Sequence, residues 1–563
     1  MEYRGYDSAG VATVFGNQIL LKKSTGRVDE VNKSVHLDIL PGNVGVGHTR
    51  WATHGGVTEA NAHPHLSHSG RVVIVHNGII DNYHELRESL IETGSVFKSE
   101  TDSEVIAELL EKNYNQLGDV RDAVTQTVSE LKGSYAFVAV FEDGTLAAVR
   151  FHQPLIIGIC DDGYFVASDI LGFAEHTDKA IFLDDRDVVI IDRNGMFLGN
   201  FDREDTTHEI VKISNRVEDA GKGEYAHYTL KEIFEQPVTV QRVGGGTERE
   251  MTEALELIRH AKRVYITGSG TSFNAALVAK HLFSKHAGIS IQPIIASEAR
   301  FSPDRFGRGS VLIAISQSGE SADVLEAVTW ARERGSHIIS IVNVMTSSLV
   351  RMSSISLALN CGPEIGVAAT KSLTSQLAML YEMADRLCGG CIGMDLNETS
   401  RMLSNTLANH LEVKEVAKRI SDVTDIYVLG RGIHYPMAAE AALKLKELPY
   451  IHAEALPGGE LKHGPMALLD SDYQIIVINP YDSTYYDTLL GAGEAKARGA
   501  KIIGISDRDS EVYDEWIQIP SVRHDLFPFV EIVPLQLLSY YLALEKKADP
   551  DYPRNLAKSV TVK

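Results

Sequence analysis

The stretch Val264-Tyr-Ile-Thr-Gly268-Ser-Gly270-Thr-Ser-Phe-Asn-Ala-Ala276 reads as a buried strand, a glycine turn and the start of a helix. It returns without a gap as Ile426-Tyr-Val-Leu-Gly430-Arg-Gly432-Ile-His-Tyr-Pro-Met-Ala438. The next apolar runs follow each copy in the same order, 311–316 against 474–479 and 337–343 against 501–506. Two such units, roughly 160 residues apart, predict a duplicated α/β domain with parallel sheets covered by helices on both faces. The halves are expected at 246–395 and 410–553, with a tail at 554–563.

Ahead of the repeat the pattern changes. Short β-type runs at 11–14, 72–75, 136–140, 155–159, 180–183 and 188–191 are separated by Gly, Asp and His, and helical patterns occur at 83–93 and 102–113. Residues 1–205 therefore read as a sheet-dominated α+β domain, and 206–245 as a linker that turns helical near 231–237. With 563 residues, three or four domains are expected.

Charge and composition exclude several classes. Lys and Arg number 54 against 76 Asp and Glu, a net −22 that argues against nucleic-acid partners. The apolar stretch 529–544 is interrupted by Glu531 and Pro534 and reads as a buried amphipathic helix, so no membrane partner is expected. The opening Met1-Glu-Tyr-Arg-Gly-Tyr-Asp has no apolar secretory core, and a cytoplasmic location follows as the expectation. Four cysteines make no disulfide framework. Cys388 and Cys391 form one CxxC, read as small buried thiols near a helix end, with a redox pair or half a zinc site as the alternatives.

A glycine turn between a parallel strand and a helix offers free N–H groups and a positive dipole end to an anion. Gly268-Ser269-Gly270 has that form, but Phe273 stands at the third glycine position of a dinucleotide fingerprint and no G-x-x-x-x-G-K-[ST] occurs. Ser316-Gln-Ser318-Gly-Glu-Ser321, directly after a strand, is more informative. An ordinary helix cap needs one serine, not three. With Ser269, Thr271 and Ser272 at the neighbouring strand end, both clusters would face one crevice suited to a phosphorylated polyol.

The second repeat carries Lys444 and Glu447 on one helix face, either a solvated pair or a site, and Glu460-Leu-Lys462-His463-Gly-Pro465, a turn dense in acid–base groups. Lys558 lies in the uncharged tail Asn555-Leu-Ala-Lys558-Ser-Val-Thr-Val562; it is either solvated or, shielded from water, a Schiff-base nucleophile. In the first domain Arg50 with Asp102 would clamp the two ends of an α-amino acid, while Asn77 and the Gly78 N–H would polarise an amide carbonyl. Asp102 and Ser99 also have the spacing of a helix cap. The histidines at 48, 54, 63, 65, 68 and 76 lack a firm metal-ligand spacing, so no metal is expected.

His48-Thr-Arg-Trp-Ala-Thr-His54, His76-Asn-Gly78 and Thr101-Asp102 resemble the N-terminal-nucleophile glutamine amidotransferase domain, with its sandwiched antiparallel sheets. Ser316-Gln-Ser-Gly-Glu, Glu364-Ile-Gly-Val-Ala-Ala-Thr-Lys371, Glu460-Leu-Lys-His-Gly-Pro465 and the tail resemble paired sugar-isomerase (SIS) domains. In this order, over nearly the whole chain, they resemble the isomerising glutamine–fructose-6-phosphate aminotransferase family. The resemblance implies that Arg50, Thr53, His54 and Asp102 hold glutamine, with Asn77 and Gly78 as oxyanion hole and Trp51 as an ammonia gate. It implies that Thr271, Ser272, Ser316, Gln317, Ser318 and Ser321 bind fructose 6-phosphate, beside Ser269, Gly270, Val367 and Ala557. His463 would help open the sugar ring, Lys558 would form the imine, Glu447 would move a proton between C1 and C2, and Lys444 would assist. Glucosamine 6-phosphate is the implied product, a homodimer the implied assembly, and no cofactor is implied.

This sequence departs from the family in three places. The family opens on a nucleophilic cysteine, whereas the first cysteine here is Cys160, and the opening residues resemble an internal family segment. A first strand and helix of about twenty residues would precede it, or glutamine is not hydrolysed. Ser269 stands where many relatives carry cysteine, and Ala369 where serine is usual. The competing readings are a sugar-phosphate isomerase or deglycase and a non-enzymatic sugar-phosphate sensor.

Overall fold

The runs at 72–75 and 136–140 are apolar at every position because both faces of their sheet are covered. In the computed structural model, which describes residues 2, 5–52, 54–213, 221–301, 306–471 and 473–559, Val72, Ile74, Phe137 and Ala139 pack with Leu90, Val105 and Val124 of the helices Tyr83–Glu92, Glu104–Leu117 and Val120–Glu130. The alternate residues Val73, Val75, Ala136 and Val138 pack with Ala12, Val46 and Ile157 of other sheets. Their sheet has six strands, ordered Gly195–Asn200, Asp187–Asp192, Leu146–Phe151, Gly133–Phe141, Val72–Ile80 and His65–Leu66. A three-stranded sheet is centred on Ser8–Phe15, and a four-stranded sheet holds Ile156–Cys160 and Gly163–Ala167. All these named strands pair antiparallel.

The chain divides into two units, residues 1–217 and 218–558. In the second, both five-stranded sheets are parallel and share one order. The first runs Ile291–Ile295, Arg263–Gly268, Ser310–Ser316, His337–Val342, Ile355–Ala358. The second runs His452–Pro457, Asp425–Gly430, Gln474–Ile478, Lys501–Ser506, Glu515–Gln518. The duplication is thus one of topology as well as of turn sequence. The helix Tyr228–Val240, within the stretch read as a linker, packs Ile233 and Val240 into the core of this unit.

The expected amphipathic helix at 529–544 has no polar face: Phe527–Glu545 is buried from Phe527 through Ala543, packed among the helices Tyr228–Val240, Leu396–Ala408, His410–Arg419 and His434–Glu447. Several of its polar groups find partners on the surrounding segments. Gln536 Oε1 accepts from Gln236 Nε2 at 2.8 Å, and the Tyr540 and Tyr541 hydroxyls bond the Nδ1 atoms of His227 and His410, each at 2.8 Å. Cys388 and Cys391, expected as separate thiols, are joined by a disulfide just past the helix Lys371–Leu387, with Cys391 exposed.

His434 takes the place in the second repeat that Ser272 holds in the first. Its ring is fully buried, with Nε2 3.1 Å from Asp482 Oδ2 and Nδ1 2.6 Å from Glu531 Oε1. Burial disfavours the imidazolium, but the two carboxylates outweigh it and hold its pKa at about 10. A folded-state pKa above the unfolded value means stability that is complete below about pH 6.5 and lost as pH climbs towards 10. His434→Gln strands the carboxylates and is expected to cost about 3–5 kcal/mol at neutral pH. Thermal unfolding measured from pH 6 to 10 checks this: the variant's melting temperature should fall less steeply with pH than that of the native chain. Parallel slopes would exclude His434 as the titrating group.

Candidate active site

The strands Arg263–Gly268 and Ser310–Ser316 lie side by side in the middle of their sheet, and the chain leaves them towards opposite edges. Open α/β sheets form their ligand crevice at the carboxyl ends of such a pair. Both serine-rich turns sit there. Gly270 has φ 53° and opens the helix Thr271–Leu282. A Cβ on Gly268 would lie 2.8 Å from the Ser272 carbonyl carbon, so only glycine lets the turn close this tightly. Across the crevice, Ser316 Oγ accepts from the Gly319 N–H at 3.0 Å and lies 3.2 Å from Ser321 Oγ, while Ser318 Oγ accepts from the Glu320 N–H at 3.2 Å. Ser321 is the N-cap residue of Ala322–Glu333, yet its hydroxyl makes no cap bond. The arrangement offers hydroxyls and a helix N-terminus to an anion without placing a cationic side chain in the turn.

This turn is tied to a strap that holds the tail. The Gln317 carbonyl accepts from the Asn343 N–H at 3.1 Å, and the Asn343 side chain bonds the Gly362 carbonyl at 2.8 Å and the Cys361 N–H at 2.9 Å. Two residues on, Glu364 is fully buried. Its carboxylate accepts from the Thr370 and Ser372 N–H groups, each at 3.0 Å, and from Ser372 Oγ at 2.8 Å, at the start of the helix Lys371–Leu387. Lys558 completes the set, donating to Glu364 Oε2 at 2.6 Å and to the Gly366 carbonyl at 2.8 Å, with its side chain only 5% exposed. Burial alone would raise Glu364, but the Lys558 charge and these hydrogen bonds hold its pKa down at about 2. The tail lysine is therefore shielded from water.

Lys444 and Glu447 are not a solvated pair. Lys444 is fully buried on the helix His434–Glu447, ion-paired to Glu447 and 3.3 Å from Glu440 Oε1, and it donates to Thr271 Oγ1 at 3.2 Å. Glu440 also accepts from Thr271 Oγ1 at 2.9 Å and from Asn274 Nδ2 at 2.7 Å, binding the second repeat to the first. Burial opposes the charge on Lys444, but the two carboxylates prevail and raise its pKa, which fixes it as a cation. Sequence reasoning missed Glu440. The signal was a carboxylate in Ala438-Ala-Glu440-Ala-Ala442, four residues before Lys444 and seven before Glu447. Glu447 keeps 21% of its side chain exposed and lines a cleft of about 350 Å³ with Tyr450 and the tail residues Arg554, Asn555 and Leu556. The Tyr450 hydroxyl accepts from the Arg554 N–H at 2.8 Å and so docks the tail there.

Other expected site residues stand as follows. Ser269 and Gly270 are exposed at the crevice, Thr271 and Ser272 are mostly buried, and Gln376 Nε2 donates to Ser272 Oγ at 3.1 Å. Val367 is buried on the strap, its N–H bonded to the Asp551 carbonyl at 3.1 Å, and Ala557 precedes Lys558 in the half-buried tail. His463 is exposed, on the turn after the helical residues Glu460–Lys462, and no hydrogen bond joins it to Glu447, Lys444 or Lys558.

In the first unit, His48, Arg50, Trp51, His54, Asn77, Gly78 and Asp102 line one cleft of about 310 Å³. Thr53 lies outside the described residues. His48 Nε2 meets Asn77 Oδ1 at 2.9 Å. Burial holds the His48 pKa at about 4, so its ring is neutral and, donating to Oδ1, leaves the Asn77 amide N–H groups for a ligand. Gly78 has φ 119°, and a Cβ there would lie 2.0 Å from the Ser134 carbonyl oxygen. Arg50 donates to the carbonyls of His54, Gly55 and Gly56 at 2.6, 3.3 and 3.2 Å, and Asp102 accepts from the Ile80 N–H at 2.8 Å. Both charged groups thus also hold the walls of the cleft.

Comparison with known proteins agrees with this division. A glutamine amidotransferase domain model matches residues 48–175, and the SIS domain model matches 257–385 and 419–546. The chain is 44% identical to glutamine–fructose-6-phosphate aminotransferase (isomerizing) of Pyrococcus horikoshii, over all of this chain and 96% of that one. It is 41% identical to the protein of that name from Thermococcus kodakarensis, with the same coverage. Among solved structures, the C-terminal domain of glucosamine-fructose-6-phosphate aminotransferase from Francisella tularensis matches with a TM-score of 0.55 and 35% identity, over 59% of this chain and all of that one. Glucosamine-6-phosphate deaminase from Thermotoga maritima matches with a TM-score of 0.50 and 25% identity, over 60% of this chain and all of that one.

Proposed function

The chain belongs to the glutamine–fructose-6-phosphate aminotransferase (isomerizing) family, and from that premise we propose that it transfers nitrogen from glutamine or ammonia to fructose 6-phosphate and isomerises the product to glucosamine 6-phosphate. The observation that carries the reading is Lys558, a primary amine withdrawn from water and held on Glu364 and the Gly366 carbonyl, on a strap tied to the serine turn. The hydroxyls of Ser316, Ser318, Ser321 and Thr271 with the helix N-termini would take the sugar phosphate. Lys558, after giving up a proton, adds through Nζ to the C2 keto carbon, and loss of water leaves an imine. Ammonia adds to the same carbon and expels the lysine. Glu447, beside the fixed charge of Lys444, takes a proton from C1 and delivers it to C2, leaving an aldehyde at C1 and an amine at C2. The same reading takes the protein as a cytoplasmic homodimer.

In the first unit, the Asn77 amide and the Gly78 N–H would stabilise the oxyanion of a glutamine amide under attack. Fructose 6-phosphate with ammonia is accordingly expected to yield glucosamine 6-phosphate, identified by mass spectrometry. Glucose 6-phosphate as the product, or no product at high ammonia, would overturn the transferase reading.

A further inference from the structure

The strap that holds Lys558 is itself held from behind. Glu232, on the helix Tyr228–Val240, is 2% exposed, and its Oε1 accepts from the N–H groups of Ile365 at 2.5 Å and Gly366 at 3.1 Å. Its Oε2 is buried with no hydrogen-bond partner among the described residues, and a Cβ on Gly366 would lie 2.9 Å from it. A buried carboxyl oxygen left unbonded beside an ion pair is costly unless the group carries a proton. The charges facing Glu232 are Lys558 from the tail, Glu364 from the strap and Lys371, which is paired to Glu235 at 2.7 Å. The Cys361 thiol lies near Glu364, Lys371 and Lys558, and Asp551 accepts from the Thr229 N–H at 2.8 Å on the same helix.

We propose that Glu232 is a positioning residue for the imine-forming lysine. Through Ile365 and Gly366 it fixes the strap that presents Lys558, and its second oxygen sets the charge beside the Lys558–Glu364 pair. Burial, reinforced by Glu364 and only partly opposed by Lys558 and Lys371, pushes its pKa up to about 8. Below that pH the carboxyl is neutral and the lysine has one carboxylate partner, Glu364. Above it, a second negative charge lies beside the Lys558–Glu364 pair, and the attack on C2 slows.

This inference rests on Lys558 as the imine-forming residue, and the test separates the two. The native chain, Glu232→Gln and Glu232→Ala are assayed for ammonia-dependent kcat and KM from pH 6.5 to 9.5, and for borohydride trapping of fructose 6-phosphate on Lys558. Gln keeps the acceptor oxygen and cannot ionise, so Glu232→Gln should match the native kcat at pH 7 and exceed it by about threefold to tenfold at pH 9.5. Ala releases the strap and should lower kcat by about 10- to 100-fold with little change in KM. A native chain that labels on Lys558, with a Gln variant whose pH profile parallels it or an Ala variant within threefold of it, overturns this inference alone. A native chain that does not label overturns the imine reading and this inference with it.

Discussion

Lys558→Ala should leave a folded protein without measurable aminotransferase activity. The loss is expected to be on the order of 10^4-fold or more in kcat, because the side chain proposed to make and break the covalent bond is removed. The fold has reason to survive. Glu364 keeps its three other donors, the Thr370 and Ser372 N–H groups and Ser372 Oγ, when the ammonium is deleted. The tail stays docked through the Arg554 N–H on Tyr450. Lys558→Arg sharpens the test, since guanidinium can pair with Glu364 but cannot form an imine. It should be as stable as the native chain and equally inactive. Ammonia-driven product formation, with borohydride trapping as a second readout, decides the matter. Either variant retaining more than about a tenth of native kcat would remove Lys558 from the covalent step.

The same residue marks where sequence reasoning stops. The duplication was legible because it is written in local signals: two gapless strand–glycine–helix copies, each followed by apolar runs of strand length. The crevice was legible because serines next to a strand end have a fixed place in such a sheet. The surroundings of Lys558 were not, since its partner Glu364 lies 194 residues away and only packing brings them together. Glu440 and Glu232 were missed for a related reason. A carboxylate on a helix reads as solvated until the neighbouring helices are placed, and both are 2% exposed or less. Helix 527–545 shows the converse error. Glu531 interrupts its apolar run in the sequence, yet Glu531, Gln536 and both tyrosines each meet a partner on the surrounding segments, so the polar groups mark contacts within the core. Cys388 and Cys391 have a spacing that fits thiols, metal or disulfide alike, and only the turn after Leu387 brings the sulfurs together.

Glu447→Gln should separate imine formation from isomerisation. The Glu447 carboxylate caps a row of charges on the helix His434–Glu447, in which Glu440 and Lys444 are fully buried and Glu447 reaches the cleft. Lys444 is held as a cation by both carboxylates and cannot serve as the base, which leaves the exposed carboxylate for the proposed proton transfer between C1 and C2. Replacing it with an amide of the same shape keeps a hydrogen-bond acceptor for Lys444 and removes the basic oxygen. The expected loss in kcat is about 10²- to 10⁴-fold, the usual contribution of a positioned general base. Because Lys558 and its strap are untouched, borohydride should still label Lys558 in the presence of fructose 6-phosphate. Exchange of the C1 hydrogens with deuterated water should fall in step with kcat. A Gln variant that keeps native exchange would assign the proton to another group, and one that loses both exchange and labelling would place Glu447 before the imine instead of after it.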